Sequence, residues 1–196
     1  MSANYIHFMS KTMNPVDLTK EARALAERTW LCTGCGRPRH GSESIDAHVQ
    51  DDQPEGPLNG LNGCFLALAK TSFLFQFGEE RIRRDLHLGK VYGPDEEPLH
   101  GWVTFRGKHR VFIRGTDHAV HRVCPGCGRD VYFAMGHPYL YPQPPAGVEV
   151  LESDLCGLVL PEAVVQEVGI GQPKGVWVER LTVVKQPKDG FGVLVP

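Results

Sequence analysis

The sequence predicts a strand-rich α+β fold tied together at two points far apart in the chain. Three observations carry this reading. Glycine (22) and proline (15) are both enriched among 196 residues, which favours many turns and short elements over a bundle of long helices. Short apolar runs with β-branched or alternating residues recur through most of the chain, and helical periodicity is confined to a few stretches. A Cys-x-x-Cys-Gly motif occurs twice, at Cys32–Gly36 and again at Cys124–Gly128.

Residues 1–29 predict a short strand around Tyr5, Ile6 and Phe8, then a helix. Asn14 is placed to cap it, Pro15 suits the first helical position, and Asp17 adds a favourable negative charge in the first turn. Leu18, Ala22, Leu25 and Ala26 then recur at helical spacing. Ile45, Ala47 and Val49 alternate as a strand does, and 51–63 is rich in turn residues. The stretch 64–88 predicts a second helical region, with Ser72 as a cap, an apolar stripe at Phe73, Phe77, Ile82 and Leu86, and a break at Gly78 with a restart at Glu79.

Beyond Leu88 the pattern turns to strands at 91–92, 102–105, 110–114 and 131–133. A proline-rich connection (Pro138, Pro142, Pro144, Pro145) follows; with Tyr139 and Tyr141 it could line a binding groove, although a rigid surface loop is the plainer reading. Strands near 148–151 and 155–159, a helix from Pro161 and a final strand over 176–184 complete the chain. The expected division is 1–40 (strand, helix and first motif), 41–118 (an inserted α+β subdomain), 119–145 (second motif and strand) and 146–196 (a C-terminal α+β segment).

Composition narrows the function classes. A net charge of −2 advertises neither nucleic acid nor a membrane surface. No apolar run approaches the roughly 20 residues that span a bilayer. Residues 1–8 lack the basic region and apolar core of a secretory signal, so a cytoplasmic location is expected. Thiols there stay reduced, and clustered cysteines are then more often metal ligands or catalysts than disulfides.

Two thiolates separated by two residues fill two corners of a tetrahedral zinc site from one tight turn. The glycine after each second cysteine accepts the positive φ that carries the chain around the metal. Cys32, Cys35, Cys124 and Cys127 together make a four-thiolate site for one structural Zn2+. In a compact zinc ribbon the two knuckles lie about 15–20 residues apart; here 88 residues, 36 to 123, intervene. Closing so long a loop costs little more than closing a short one, because the entropy grows logarithmically with length. The expected architecture is therefore a split zinc ribbon with a long insert. The alternative is that each knuckle belongs to a separate redox or metal site.

A closed four-cysteine site leaves no position for water and argues against zinc hydrolysis. The His-x-Glu and Pro-Cys-x-x-Cys elements of a nucleoside-deaminase site are absent, since Val123 precedes Cys124. Neither motif lies in the βαβ context of a thioredoxin-like pair. Cys64 and Cys156, flanked by apolar residues, read as buried reduced thiols. His118 and His121 precede the second motif; on a strand they point to opposite faces, which suits solvent or support of the site better than metal ligation. Arg106, Lys108, Arg110, Arg114 and Arg122 form a basic run that could offer a nucleic-acid surface, although a solvated hairpin face is the plainer reading. Residues 79–85 read as a charged helix face with pairs such as Glu79–Arg83.

The two Cys-x-x-Cys-Gly motifs flanking a long insert resemble the double-CXXCG motif proteins of myxobacteria, a family regarded as immunity proteins of polymorphic toxin systems. The C-terminal stretch, with an apolar strand at 155–160, a short helix and the run 175–181, is similar to immunity-type domains. The resemblance implies a cytosolic, non-enzymatic protein that binds and blocks a cognate protein toxin. It carries over the four cysteines and no toxin-contact residues.

Overall fold

A computed structural model describes residues 4–11, 15–39, 43–51, 53–116, 120–133, 136–141 and 143–185. The chain is mixed α+β and rich in strands. In chain order the elements are β1 (Asn4–Ser10), α1 (Lys20–Thr29), β2 (Ala47–His48), β3 (Leu58–Gly60), β4 (Ala67–Lys70), α2 (Thr71–Leu74), α3 (Glu79–Asp85), β5 (Leu86–Tyr92) and β6 (Pro98–Gly107). There follow β7 (Arg110–Val111), β8 (Ile113–Gly115), β9 (Val120–Val123), β10 (Asp130–Phe133), β11 (Pro138–Leu140), β12 (Leu151–Ser153), β13 (Leu158–Pro161), α4 (Glu162–Val168) and β14 (Val176–Val183).

The largest sheet runs β7-β12-β13-β1-β14-β11-β8. Its two ends, β7 and β8, are one stretch of chain interrupted only at Phe112, so the sheet closes on itself. The stretch bonds on both sides: the Val111 carbonyl accepts from the Asp154 N–H (3.0 Å), and the Thr116 N–H donates to the His137 carbonyl (3.1 Å). Closure into a barrel removes the unpaired edges that an open sheet would present. Side chains alternate across the wall. Tyr5, Val111, Ile113, Leu140, Leu151, Val159 and Leu181 meet in the interior. Ile6, Phe8, Leu158, Leu160 and Val176 face outward and are buried there as well.

What buries them is a second sheet, β2-β5-β6-β4-β3, with α2, α3 and the 3₁₀ turn Phe75–Phe77. Phe8 stands edge-on to Phe77 at 5.3 Å and to Phe73 at 6.2 Å. The far face of this sheet carries Leu68 and Val91 and is covered by α1 with Val16, Leu18, Ile45 and Val49. The order of layers is thus barrel, second sheet, helix.

Several expected elements move. Asn14 lies outside the described residues, and the helix begins at Lys20, where the Thr19 hydroxyl accepts from the Ala22 N–H at 3.2 Å. Residues 15–18 are extended instead, with Val16 bridging Leu61 and Leu18 bridging Val49. Val16 and Leu18 are both buried, a spacing of two that a helix would have split between faces. The helical stretch expected over 64–88 gives way at its start to β4, and Ser72 lies inside α2, which follows Lys70 with no side-chain cap. Gly78, at φ +95°, breaks the helix and α3 restarts at Glu79 as expected. The expected loop at Tyr139 is a barrel strand, β11, with Tyr139 buried.

Candidate metal centre

Each Cys-x-x-Cys-Gly motif forms the turn of a small hairpin, and the two turns are bonded alike. In the first, Leu31 pairs with Pro38, the Cys32 N–H donates to the Arg37 carbonyl (2.9 Å), and the Gly36 N–H donates to the Cys32 carbonyl (2.7 Å). In the second, Val123 pairs with Asp130, the Cys124 N–H donates to the Arg129 carbonyl (2.8 Å), and the Gly128 N–H donates to the Cys124 carbonyl (2.8 Å). Gly36 and Gly128 share φ +69°, the left-handed conformation that lets the chain reverse beneath the sulfurs.

The fold brings the knuckles face to face. Cys32 Sγ lies 3.7 Å from Cys124 Sγ, and Cys35 Sγ lies 3.7 Å from Cys127 Sγ. All four sulfurs fall within 4.8 Å of one another. A tetrahedron of metal–sulfur bonds of about 2.3 Å places its sulfurs about 3.8 Å apart, so the donor set fits a tetrahedral thiophilic ion. Cys32, Cys35 and Cys124 are buried and Cys127 is half-buried, all of them as free cysteines. The glycine inside each motif permits the approach: a Cβ on Gly34 would sit 3.0 Å from Cys124 Sγ, and one on Gly126 would sit 3.2 Å from Cys32 Sγ.

The electrostatics of the bare thiols point the same way. Burial pushes the Cys32 thiol up, but the Gly34 N–H, Cys127 and the Cys35 N–H outweigh it and hold the group at about 7. Burial drives Cys35 up to about 12, and its sulfur neighbours add to the rise. Cys127 is raised too, first by burial. In so small a volume the Cys32 thiol ionises readily while Cys35 and Cys127 resist ionising. A divalent cation among them would cancel that repulsion and let all four ionise.

Polar contacts dock the centre on the rest of the molecule. The Phe65 N–H donates to the Gly36 carbonyl (2.7 Å). Arg37 lies 3.6 Å from Asp154, with both side chains buried, and its guanidinium covers the Phe65 ring. Arg129 Nη1 donates to the Pro38 carbonyl (2.6 Å), crossing from the second knuckle to the first. Burial pushes Asp154 up to about 6, against the Ile113 N–H, Arg37 and Arg110, which favour its charged form. A cleft of about 530 Å³ runs beside the first knuckle, with Arg23, Asn62, Cys64 and Arg122 in its walls.

The other sequence candidates separate from the centre. Cys64 is buried against Arg23 Nη1 (3.1 Å), and burial raises its thiol. Cys156 occupies the turn after β12 at φ +58°, and burial pushes its thiol up to about 12. Neither is a ready thiolate. His118 lies outside the described residues, and His121 is on β9 opposite Tyr132. The basic run does not make one exposed face. Arg114 is 1% exposed, and Arg110 donates to the buried carboxylate of Glu152 (2.8 Å).

Sequence reasoning missed Arg37, Arg129 and Asp154. The signal for the two arginines was available, because both motifs continue alike to a sixth position, Cys-x-Gly-Cys-Gly-Arg. It also missed His7 and Ser153, whose side chains meet at 2.9 Å inside the barrel. In an open cleft such a pair would suggest acid–base work; here both residues are fully buried, and Ser153 also accepts the Gly157 N–H (3.0 Å). No helix among the described residues is long and apolar enough to cross a membrane. No family model matches the chain, and no curated protein matches its sequence.

Proposed function

We propose that the chain is a non-enzymatic protein-binding protein whose scaffold is stapled by one structural Zn2+ held by Cys32, Cys35, Cys124 and Cys127, and that its partner is a cognate protein toxin which it neutralises. The observation that carries the first half is the cluster of four sulfurs within 4.8 Å of one another, with a 3.7 Å contact across the knuckles in each of two pairs. A zinc ion held there has protein ligands at all four corners and no place for water or substrate, so its contribution is to folding. On this reading the hairpin turns form a ribbon whose halves are brought together by everything between residues 36 and 123.

The toxin-binding half rests on the double Cys-x-x-Cys-Gly resemblance and on the chemistry of the site, which offers stability rather than a reacting group. Nucleic-acid binding through 106–122 has less support, because Arg114 is buried and Arg110 is paired with the buried Glu152.

Native mass spectrometry on protein gently purified from its host tests both halves. One zinc per chain together with a stoichiometric protein partner is the expected result. Zinc with bound nucleic acid and no protein partner would overturn the toxin-binding reading while leaving the metal site intact.

A further inference from the structure

At 3.7 Å, Cys32 Sγ touches Cys124 Sγ and Cys35 Sγ touches Cys127 Sγ, so each contact joins one cysteine of the first knuckle to one of the second. Gly34 lies against Cys124 Sγ and Gly126 against Cys32 Sγ, and neither puts a side chain in the way. All four are free cysteines. Closing either pair into a disulfide asks the sulfurs to approach by about 1.7 Å, a movement that rotation about the Cα–Cβ bonds supplies. Both pairs are open to a small oxidant. Cys127 is half-buried, and Cys32 and Cys35 border the cleft of about 530 Å³ beside the first knuckle. Cys64 and Cys156 border the same cleft, but burial raises both thiols, and among the described residues neither touches another sulfur.

We propose that the centre is also a redox site: hydrogen peroxide converts its four thiolates into two disulfides, Cys35–Cys127 and Cys32–Cys124, which let the ion go and keep the two hairpins joined. In each pair one thiolate attacks a peroxide oxygen, the O–O bond breaks, and a sulfenic acid and a hydroxide result. The partner thiolate, already in contact, attacks the sulfenic sulfur; the S–O bond breaks and a second hydroxide leaves as the S–S bond forms. Each disulfide thus gives two electrons to one peroxide, and the whole centre gives four to two. The thiolate is the metal ligand, so the neutral disulfide sulfurs no longer hold the ion.

The inference rests on the zinc reading for the ion that is released, and on the sulfur contacts alone for the pairing. Its consequence is a staple with two forms. A disulfide within one motif would leave the hairpins free to part, whereas both links here tie Cys32–Gly36 to Cys124–Gly128. Oxidation therefore exchanges a metal staple for a covalent one, and a thiol reductant with Zn2+ reverses the exchange.

The test uses the full wild-type chain loaded with Zn2+, treated with hydrogen peroxide, blocked with N-ethylmaleimide and digested with trypsin without reduction. Trypsin leaves Cys32 and Cys35 together in residues 29–39, and Cys124 and Cys127 together in 123–129. The expected result is release of one zinc per chain to a chromogenic chelator and a fall in alkylated cysteines from six to two, Cys64 and Cys156. The two peptides should then be joined by two disulfides, which fragmentation assigns to Cys35–Cys127 and Cys32–Cys124. Disulfides confined to either peptide, the crossed pairing Cys32–Cys127 with Cys35–Cys124, or sulfinic acids in place of disulfides overturn the proposal and leave the zinc reading standing. Four thiols that survive a large excess of peroxide overturn it as well. A chain that takes up no zinc sinks the metal reading, and the same peptide map of the metal-free chain still decides the pairing.

Discussion

In the barrel, apolar side chains from alternate positions of every strand meet in one interior, whereas the two knuckles meet over four sulfurs and little else. Among the described residues, Val131 is the single apolar residue other than cysteine in the buried cluster there. Each barrel side chain of the size of Leu151 or Val159 contributes on the order of 2 kcal/mol by leaving water, and closed hydrogen bonding holds the wall. The knuckles have a backbone pair at each hairpin base, a few polar ties and the mutual repulsion of any thiolates they form. One region is therefore stable by packing. The other, on the proposed reading, depends on a bound metal.

The largest expected effect breaks the second region alone. Chelating the metal, or Cys124→Ser, should remove several kcal/mol from the stability of the knuckles, since metal-binding free energy is folding free energy in a site without a core. Hydrogen exchange should show β9, β10 and the 31–38 hairpin losing protection while β1, β13 and β14 retain theirs. A chelated protein that kept its full melting temperature would remove the staple from the account.

The converse substitution is Phe8→Ala. Phe8 is fully buried between the barrel wall and Phe73 and Phe77. Its loss should cost about 3–5 kcal/mol in urea denaturation, with metal content per folded chain unchanged. A variant that folded but lost its metal would show that the two regions are not separable.

The same contrast explains what the sequence disclosed. The knuckles were legible because their chemistry is local: two cysteines and a glycine at fixed spacing specify a turn and its ligands whatever surrounds them. Strands β1 and β14 and the start of α4 were legible from period and from Pro161. The strand β4 was not, because Ala67 and Ala69 pack into one core and Leu68 into another, which erases the alternation that marks a half-buried strand. Barrel closure was invisible for a different reason. Arg110 aligns with Glu152, and Arg114 with Tyr139. Nothing within a local window announces such pairings, so the buried Arg114 and the Glu152-paired Arg110 looked like a solvated face.

A smaller effect comes from the His7 imidazole inside the barrel. Burial lowers the His7 pKa to about 3 from its ordinary value near 6.5. Below pH 6.5 the unfolded chain takes up a proton that the folded chain refuses until about pH 3. Stability is thus complete above 6.5 and falls with acid through that window, by about 2 kcal/mol at pH 5. Asp154, pushed up to about 6, acts in the opposite sense, because the folded chain accepts its proton first. Metal release in acid affects any variant alike. The comparison that isolates His7 is therefore the difference in stability between pH 7 and pH 5 for wild type and His7→Gln. The variant should lose less, and equal slopes would remove His7 as the cause.

The smallest expected effect separates the cysteines by role. Cys64 is as buried as Cys32 and Cys35, at 5% exposed, and it has a charged neighbour in Arg23. Burial and spacing from other sulfurs leave it a packing residue, since a lone raised thiol neither binds metal nor reacts readily. Cys64→Ala should cost about 1 kcal/mol, the loss of one small apolar group and a weak contact to the guanidinium. Cobalt bands and metal stoichiometry should remain those of the wild type. Because Cys64 and Cys32 border the same cleft, this substitution is the sharpest control on the centre: a change in the cobalt spectrum would mean that the four-sulfur cluster is not closed, and that a fifth cysteine reaches the ion.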